Sequence, residues 1–414
     1  MLNFPFKYVP VLTKIGLEDF MNTIENDKNL ITINEGRVSI TVPHFDKVSA
    51  KALVFYNPVM ELNRDLSVIA LQTFRDSQDQ DISICDAFGG TGIRGIRYSR
   101  EISGVQNVVI NDLNPLAVQF TKENILKNGL GNVNVFKEDA NILMRKCRGK
   151  FHVVDIDPFG TPSPFIESAT ISSKAGGMLC VTATDTSALC GTYKEPCIRK
   201  YNSMPLKTEY CHETGLRILA GFIALTSAKY KKFIELKFSH STEHYMRIYL
   251  TLGKGAKMTD LSLKNIGYIA HCHKCLYRRL IYGITPQIPS ECPQCGEAFQ
   301  VGGPLWLGKL IDTDFIVKMM KILPTIPIKK DKDAVKLLER CYEESKGPAT
   351  FYDLHKISKK LKISAPPLNE VLMKLKEEEY FASRTHIKPT GIKTDAPLEK
   401  IEEIIYNLIT PINS

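Results

Sequence analysis

Three features are missing from this sequence of 414 residues. No apolar run approaches about 18 residues, the length that a membrane-spanning helix needs. The first residues, Met1-Leu2-Asn3-Phe4-Pro5, include no basic segment followed by an apolar core, as a secretory leader would. No internal repeat or low-complexity tract is present. We therefore expect a cytoplasmic protein that does not enter a membrane.

The cysteines do not indicate a disulfide framework. Of eleven cysteines, four fall in one paired cluster and seven are scattered through apparent core or loop segments. This usage is typical of a reducing compartment, in which the scattered thiols stay free.

The composition is that of ordinary globular protein, with 43% apolar and 24% charged residues, and the length predicts two or three domains. Lysine and arginine number 54 against 45 aspartates and glutamates, which gives a net charge of +9. This surplus suits a polyanionic partner such as nucleic acid and does not require one.

Short apolar runs at regular spacing predict an α/β domain with a parallel sheet. They cover residues 82–85, 108–110, 133–136, 151–154 and 178–182. Residues 30–42 alternate apolar and polar side chains, which predicts a preceding hairpin, and residues 233–239 and 245–252 predict a later one. Asn57-Pro58 is expected to open a helix. Its predicted buried face comprises Val59, Leu62, Leu66, Ile69 and Phe74.

The C-terminal part has a different pattern. Residues 253–303 are rich in cysteine and glycine, and the chain beyond Pro324 is helical in pattern and rich in lysine. Two apolar helical faces, within 354–361 and 368–375, are separated by Ala365-Pro366-Pro367. This layout resembles a helix-turn-helix or winged helix.

The segment Asp155-Ile156-Asp157-Pro158-Phe159-Gly160 follows a predicted buried strand. Open α/β sheets bind ligands at the carboxyl ends of their strands. Asp157 and the Pro158 carbonyl can accept hydrogen bonds from an exocyclic amine of a nucleobase, and Phe159 can stack on its ring. The alternative is a structural strand end, with a Pro-Gly turn and a capping aspartate.

A glycine loop follows the first predicted strand of the sheet, and Gly90, Gly92 and Gly95 satisfy the pattern G-x-G-x-x-G. A dinucleotide enzyme would cradle pyrophosphate there and use Asp112 to bind ribose. Asp86, at the strand tip, would repel pyrophosphate but could bind the ammonium group of S-adenosylmethionine. Asp112 would then bind ribose and Asp139 the adenine amine. Three acids after three consecutive strands favour the methyl donor.

With these motifs in place, the chain resembles the tRNA (guanine-26 N2)-dimethyltransferase family, class I S-adenosylmethionine-dependent RNA methyltransferases of archaeal and eukaryotic type. The resemblance extends from about residue 30 to near the C-terminus. Its motifs include Phe55-Tyr56-Asn57-Pro58, Leu62-Asn63-Arg64-Asp65, Thr91-Gly92-Ile93-Arg94-Gly95-Ile96-Arg97, Asn111-Asp112, Asp139-Ala140-Asn141, Asp157-Pro158-Phe159-Gly160, Thr182-Ala183-Thr184-Asp185, Leu189-Cys190-Gly191, Cys211-His212-Glu213, Arg384-Thr385-His386 and 389–394. The chain departs from the family pattern at Phe88-Gly89-Gly90 and at Thr186-Ser187.

The resemblance implies direct transfer of methyl groups to the N2 amine of guanine 26, giving mono- and then dimethylguanosine. It makes Asp157 the catalytic carboxylate, beside Pro158, and makes Phe55 and Phe159 the two sides of a guanine clamp. The residues that it places at the methyl donor are Arg64, Asp86, Arg94, Asp112, Asp139 and Ala140. A cytosine C5-methyltransferase would instead need a cysteine nucleophile, for which Cys197 is the available candidate.

Cys272, Cys275, Cys292 and Cys295 form two C-x-x-C knuckles with the spacing of a zinc ribbon. Four thiolates would complete a tetrahedral shell, so we expect a structural Zn²⁺. His271 and His273 are alternative ligands, and four unligated cysteines are the remaining alternative.

The expected partner is tRNA, and no obligate protein partner is inferred. We predict phosphate contacts from Lys356, Lys359, Lys360 and Lys362 and from the segment 384–393. The predicted segments are an N-terminal hairpin region completing the catalytic domain (1–56), a methyltransferase domain (57–255), a zinc-ribbon module (256–310) and a C-terminal winged-helix-like tRNA-binding domain (311–414). The competing hypothesis is a non-enzymatic nucleic-acid binder that consists of a zinc ribbon and a winged helix.

Overall fold

The structure is a computed structural model that describes residues 30–43 and 54–410. The chain divides into two compact units. Of the described residues, the first unit comprises 30–43, 54–181 and 319–334, and the second comprises 182–318 and 335–410. Among the described residues, no helix is both long enough and apolar enough to cross a membrane.

The predicted N-terminal hairpin is present. Strand β1 (Leu30–Glu35) pairs antiparallel with β2 (Val38–Pro43). The turn between them contains Gly36 at φ +56°, a backbone conformation that costs glycine little because it has no Cβ.

Asn57-Pro58 opens a 3-10 turn (Pro58–Met60), and helix α1 (Glu61–Arg75) begins directly after it, three residues later than predicted. The Asn57 side chain caps this turn by accepting a hydrogen bond from the Val59 N–H over 2.9 Å. The buried face of α1 includes Leu62, Leu66, Ile69 and Phe74. The prediction that Val59 joins this face is wrong: Val59 is 48% exposed, because the tighter 3-10 turn shifts the helical phase.

Five parallel strands form the centre of the first unit and correspond to the predicted apolar runs. They are β3 (Ile82–Asp86), β4 (Val105–Asn111), β5 (Val133–Phe136), β6 (Phe151–Ile156) and β7 (Ser173–Ala183). Their order is β5-β4-β3-β6-β7. The chain therefore moves outward from β3 to β5 and returns to the other side of β3, which creates a topological switch point between β3 and β6.

Four helices connect these strands: α2 (Ile93–Glu101), α3 (Pro115–Lys127), α4 (Ala140–Lys146) and α5 (Ile166–Ser172). Alternation of strands and helices around a parallel sheet confirms the predicted α/β, Rossmann-like class.

The second unit begins with α6 (Thr186–Leu189), α7 (Lys194–Tyr201) and α8 (Cys211–Ala228), followed by the predicted antiparallel hairpin of β8 (Lys232–Thr242) and β9 (Tyr245–Lys254). After α9 (Ala256–Leu263) comes a small antiparallel sheet. It contains β10 (Ile266–His271), β11 (Arg278–Tyr282) and β12 (Gln300–Trp306), in the order β11-β10-β12. The paired cysteines lie in the two loops on either side of β11, as in a zinc ribbon.

The chain continues through α10 (Thr313–Ile322) and α11 (Asp331–Glu344) into a C-terminal α+β region. Its helices are α12 (Leu354–Leu361), α13 (Leu368–Glu377) and α14 (Leu398–Ile409), and its strands are β13 (Tyr352–Asp353), β14 (Ala382–Arg384) and β15 (Gly391–Thr394). The strands form an antiparallel sheet in the order β13-β15-β14. The core includes Leu354, Ile357, Val371, Leu375 and Ile392. Helices α12 and α13 together with this sheet give the predicted winged-helix-like layout.

Candidate active site

Acidic residues follow neighbouring strands at one edge of the parallel sheet. Asp86 ends β3, Asp112 follows β4 and Asp157 follows β6. Because β4, β3 and β6 are adjacent and parallel, these residues lie at the same edge, on both sides of the switch point. Asp139 follows β5, farther out along the same edge.

The glycine loop between β3 and α2 is held against the end of β4. The Gly90 N–H donates to Asp112 Oδ2 over 2.8 Å, and Asp112 Oδ1 accepts from the Asn114 N–H over 2.8 Å. Gly90 and Gly92 adopt φ +56° and +81°, where a side chain would strain the backbone. A Cβ at Gly89 would lie 2.4 Å from the Ile110 side chain. The loop therefore needs its glycines to approach β4 this closely.

Asp86 is completely buried, and its two carboxylate oxygens have different surroundings. Oδ2 accepts a hydrogen bond from the Gly95 N–H over 2.9 Å, whereas Oδ1 has no hydrogen-bond partner among the described residues. Burial, reinforced by the charge of Asp155, raises the pKa of Asp86 to about 7. A buried acceptor without a partner is costly, so Oδ1 fits a bound group that donates a hydrogen bond or carries positive charge.

Arg94, in the first turn of α2, fixes the carboxylate of Asp157. Its guanidinium group donates to Asp157 Oδ2 and lies 3.8 Å from Asp155 Oδ2. It also donates to Asn63 over 2.9 Å and to Ser67 over 3.0 Å, both on α1. Arg94 was predicted at the methyl donor; in the structure it holds the predicted catalytic carboxylate.

Phe55 and Phe159, the two rings predicted to clamp the guanine, lie next to each other. Their ring centroids are 4.4 Å apart and their planes are nearly perpendicular, at 84°. Phe159 is 58% exposed, whereas Pro158 is buried. The two rings contact each other directly, so a flat base can enter between them only if they separate.

Arg64 is bound by Glu35, a residue that the sequence did not indicate. Arg64 Nε and Nη2 donate to the two oxygens of Glu35, each over 2.6 Å, and Glu35 is 2% exposed. Burial opposes ionisation of Glu35, but Arg64 and Arg97 outweigh it and lower the pKa of this carboxyl. The Tyr56 hydroxyl also donates to Glu35, over 3.3 Å. The N-terminal hairpin thus holds both Arg64 and the segment that carries Phe55.

Asp139 and Ala140 lie at the start of α4. Asp139 caps this helix by accepting a hydrogen bond from the Ile142 N–H over 3.1 Å, and Ala140 is buried. Asn111, which belongs to the motif Asn111-Asp112 but had no predicted role, hydrogen-bonds to the Glu138 backbone. Its amide nitrogen donates to the Glu138 carbonyl over 3.0 Å, and its amide oxygen accepts from the Glu138 N–H over 3.1 Å. Asn111 thereby connects the end of β4 to the segment that follows β5. Asp112 lies directly after Asn111, and Asp139 lies directly after Glu138.

Comparisons with known proteins agree with this arrangement. The model of the N2,N2-dimethylguanosine tRNA methyltransferase family matches residues 36–406. The chain belongs to this family. Relatives from Methanosphaera stadtmanae and Methanobrevibacter smithii, both named tRNA (guanine(26)-N(2))-dimethyltransferase, are 55% and 56% identical to it. The matches cover 91% of this chain and 96% and 97% of the respective relatives.

A solved structure is similar over an equal share of this chain. It is described as a complex of Trm1 from Pyrococcus horikoshii with S-adenosyl-L-methionine, and it is 37% identical with a TM-score of 0.82. The match covers 91% of this chain and 100% of that chain. Because the family consists of methyltransferases, the comparisons support neither the dinucleotide enzyme nor the non-enzymatic binder.

The four paired cysteines converge as a metal-binding set. Their sulfur atoms all lie within 4.8 Å of one another, and the pairs Cys272–Cys295 and Cys275–Cys292 are each 3.5 Å apart. Tetrahedral Zn–S bonds of about 2.3 Å place sulfur atoms at about this separation. The set therefore fits a zinc ion.

The alternative histidine ligands have other partners. His271 is hydrogen-bonded to Tyr210 through Nδ1 over 3.0 Å, and His273 Nε2 is hydrogen-bonded to Gln300 over 2.8 Å. Neither histidine joins the convergent set, because among the described residues the four cysteines are the ligands found within 4.8 Å of one another at this site.

Cys197 does not suit the cytosine C5-methyltransferase alternative. It is completely buried, and burial together with the charge of Asp185 raises its pKa to about 12. A thiol in this environment is a poor nucleophile.

The lysines predicted to contact phosphates differ in exposure and in ion pairing. Lys393 is 6% exposed and donates to Glu213 and Glu344, so the prediction that this end of the segment 384–393 contacts phosphate is wrong. Lys356 and Lys360 form ion pairs with Glu209 and Glu402. Lys359 and Lys362 are exposed.

Proposed function

We propose that this protein transfers methyl groups from S-adenosyl-L-methionine to the exocyclic N2 amine of guanine 26 in tRNA, producing mono- and then dimethylguanosine. The observation that carries the proposal is the position of Asp157. It is held by Arg94 at the switch point of the sheet, in a chain of the N2,N2-dimethylguanosine tRNA methyltransferase family.

The methyl donor would occupy the acidic edge of the sheet. The unpartnered oxygen of Asp86 suits its ammonium group. Asp112 keeps further acceptor sites for ribose hydroxyls, although backbone N–H groups already bind both of its oxygens. Asp139 and Ala140 would line the adenine site, and Arg64 would complete the pocket from α1. The bound donor supplies an electrophilic methyl group on a sulfonium.

The guanine would bind between Phe55 and Phe159 after these rings separate. Asp157 and the Pro158 carbonyl would accept hydrogen bonds from the N2 amine and orient its lone pair toward the methyl group. One S–C bond breaks as one N–C bond forms, and the amine proton passes to Asp157 and from there to water. Arg94 keeps the Asp157 carboxylate in place, so positioning contributes most of the rate enhancement.

The tRNA would present guanine 26 as an extruded base, since a base within stacked stems cannot reach the pocket. Lys359 and Lys362 are exposed and can contact phosphates. The four cysteines would hold a structural Zn²⁺. A cytoplasmic location, the absence of an obligate protein partner and the division at residues 56, 255 and 310 stay predictions.

The test uses full-length protein, S-adenosyl-L-methionine and an unmodified tRNA transcript, with nucleosides identified by mass spectrometry. We expect monomethylguanosine followed by dimethylguanosine, and neither product from a transcript with adenine at position 26. Asp157→Asn should keep donor binding and lose at least about a hundredfold in rate. Methylation at another base, or near wild-type activity of Asp157→Asn, would contradict the proposal.

A further inference from the structure

A cluster of two thiols and an imidazole lies in the second unit and has no part in the proposed reaction. The ligand atoms of Cys190, Cys211 and His212 all lie within 4.8 Å of one another. Cys190 directly follows α6, and Cys211 is the first residue of α8, an 18-residue helix. Cys190 is buried and Cys211 is partly exposed. A reagent from solvent would therefore meet Cys211 first.

The surroundings of Cys211 favour its thiolate. The N-terminal end of a helix stabilises negative charge, and His212 Nδ1 lies 3.7 Å from Cys211 Sγ. Hydrogen bonding from Cys190 and then from His212 lowers the pKa of Cys211, and Cys211 in turn raises the pKa of His212. Lys388 also acts on His212 and opposes its protonation. Thiolates beside a protonated histidine or at a helix N-terminus are the reactive cysteines of proteins.

Other scattered cysteines have the opposite environment. Burial raises the pKa of Cys85, Cys147 and Cys341. Cys197, on α7, is completely buried and its pKa is raised to about 12. These thiols should react slowly, so Cys197 provides an internal reference for Cys211.

We propose that Cys211 is a reactive thiol that forms a reversible disulfide with Cys190 when it meets a small-molecule disulfide such as oxidised glutathione. The Cys211 thiolate attacks one sulfur of the oxidant and releases one glutathione thiolate. Cys190, once deprotonated, attacks Cys211 Sγ in the mixed disulfide and releases the second. Two cysteine thiols are oxidised to one disulfide, and one oxidised glutathione is reduced to two thiols. The two sulfur atoms lie within 4.8 Å of each other, and a disulfide brings them to about 2.05 Å.

The first experiment measures alkylation of each cysteine in the zinc-loaded, full-length protein by iodoacetamide and peptide mass spectrometry. At pH 6.5, Cys211 should react at least about tenfold faster than Cys197, since rate follows the thiolate fraction. His212→Gln should move the midpoint of the Cys211 rate–pH profile upward. Equal rates at Cys211 and Cys197, or a profile unchanged by His212→Gln, would overturn the assignment of Cys211 as a reactive thiolate.

The second experiment adds oxidised glutathione. We expect a peptide pair linked through Cys190 and Cys211, which dithiothreitol separates, whereas Cys190→Ser should instead retain glutathione on Cys211. Links confined to the four paired cysteines would overturn the proposal. The proposal would also be overturned if the protein bound a second equivalent of zinc that protected Cys211 from alkylation until a chelator removed it. The cluster would then be a metal site.

Discussion

Replacing Glu35 by glutamine tests whether the N-terminal hairpin belongs to the donor site. Glu35 is 2% exposed and holds Arg64 through both carboxylate oxygens. Glutamine has nearly the same shape but keeps a single acceptor oxygen, and its NH₂ group would face a guanidinium that also donates. Arg64 would lose one hydrogen bond and the opposite charge that orients it, so its guanidinium should leave the position proposed for donor binding.

The expected loss of donor affinity in Glu35→Gln follows from the kind of hydrogen bond that Arg64 loses. A hydrogen bond to a charged group contributes about 1.5–3 kcal/mol, and about 1.4 kcal/mol changes an equilibrium tenfold. We therefore expect the Kd of S-adenosyl-L-methionine to rise roughly 10- to 100-fold, with little change in the KM for tRNA. Breaking a buried ion pair should also lower the free energy of unfolding by about 3–5 kcal/mol.

Asp65→Asn is the matched control for this loss of stability. Asp65 is 1% exposed and belongs to the same buried network, but it accepts its hydrogen bond from Arg97, over 2.7 Å. It should lose stability while keeping donor affinity. Calorimetric titration at pH 8 gives Kd, and urea unfolding gives stability. An unchanged Kd in Glu35→Gln, or equal increases in both variants, would refute the positioning role of Glu35.

Three further predictions concern other charged and metal-binding groups. Donor affinity should fall as the pH drops from 8 to 6, because the pKa of Asp86, about 7, makes its carboxylate scarce at the lower pH; pH-independent binding in calorimetry would contradict the role of Asp86. Cys272→Ser should lose zinc by metal analysis, whereas Cys197→Ser should keep it, and full zinc content in Cys272→Ser would exclude this ligand. Despite burial, Cys341 and Glu344 raise the pKa of His386 to about 10. The stabilising contribution of His386 is therefore complete below about pH 6.5 and is lost as the pH rises through about 10. His386→Ala should lower the free energy of unfolding by about 3–5 kcal/mol in urea near pH 6, and a wild-type value would contradict this.

Local patterns predicted the elements that build the site. The apolar runs correspond to β3 to β7, and each of Asp86, Asp112, Asp139 and Asp157 ends or follows one of the first four of these strands. The two C-x-x-C knuckles likewise converge as their spacing predicts. These features were predictable because strand periodicity, turn chemistry and knuckle spacing are properties of short segments.

Contacts between distant segments were not predictable in this way. Glu35 and Arg64 are 29 residues apart, Arg94 and Asp157 are 63 apart, and Lys393 and Glu213 are 180 apart. No local pattern shows which buried carboxylate will face which cation, and a lysine-rich segment looks the same whether its lysines are solvated or buried. The sequence by itself determined which chemistry the strand ends carry. Only the tertiary structure decided which charges are paired, because pairing depends on packing among segments that the chain order leaves far apart.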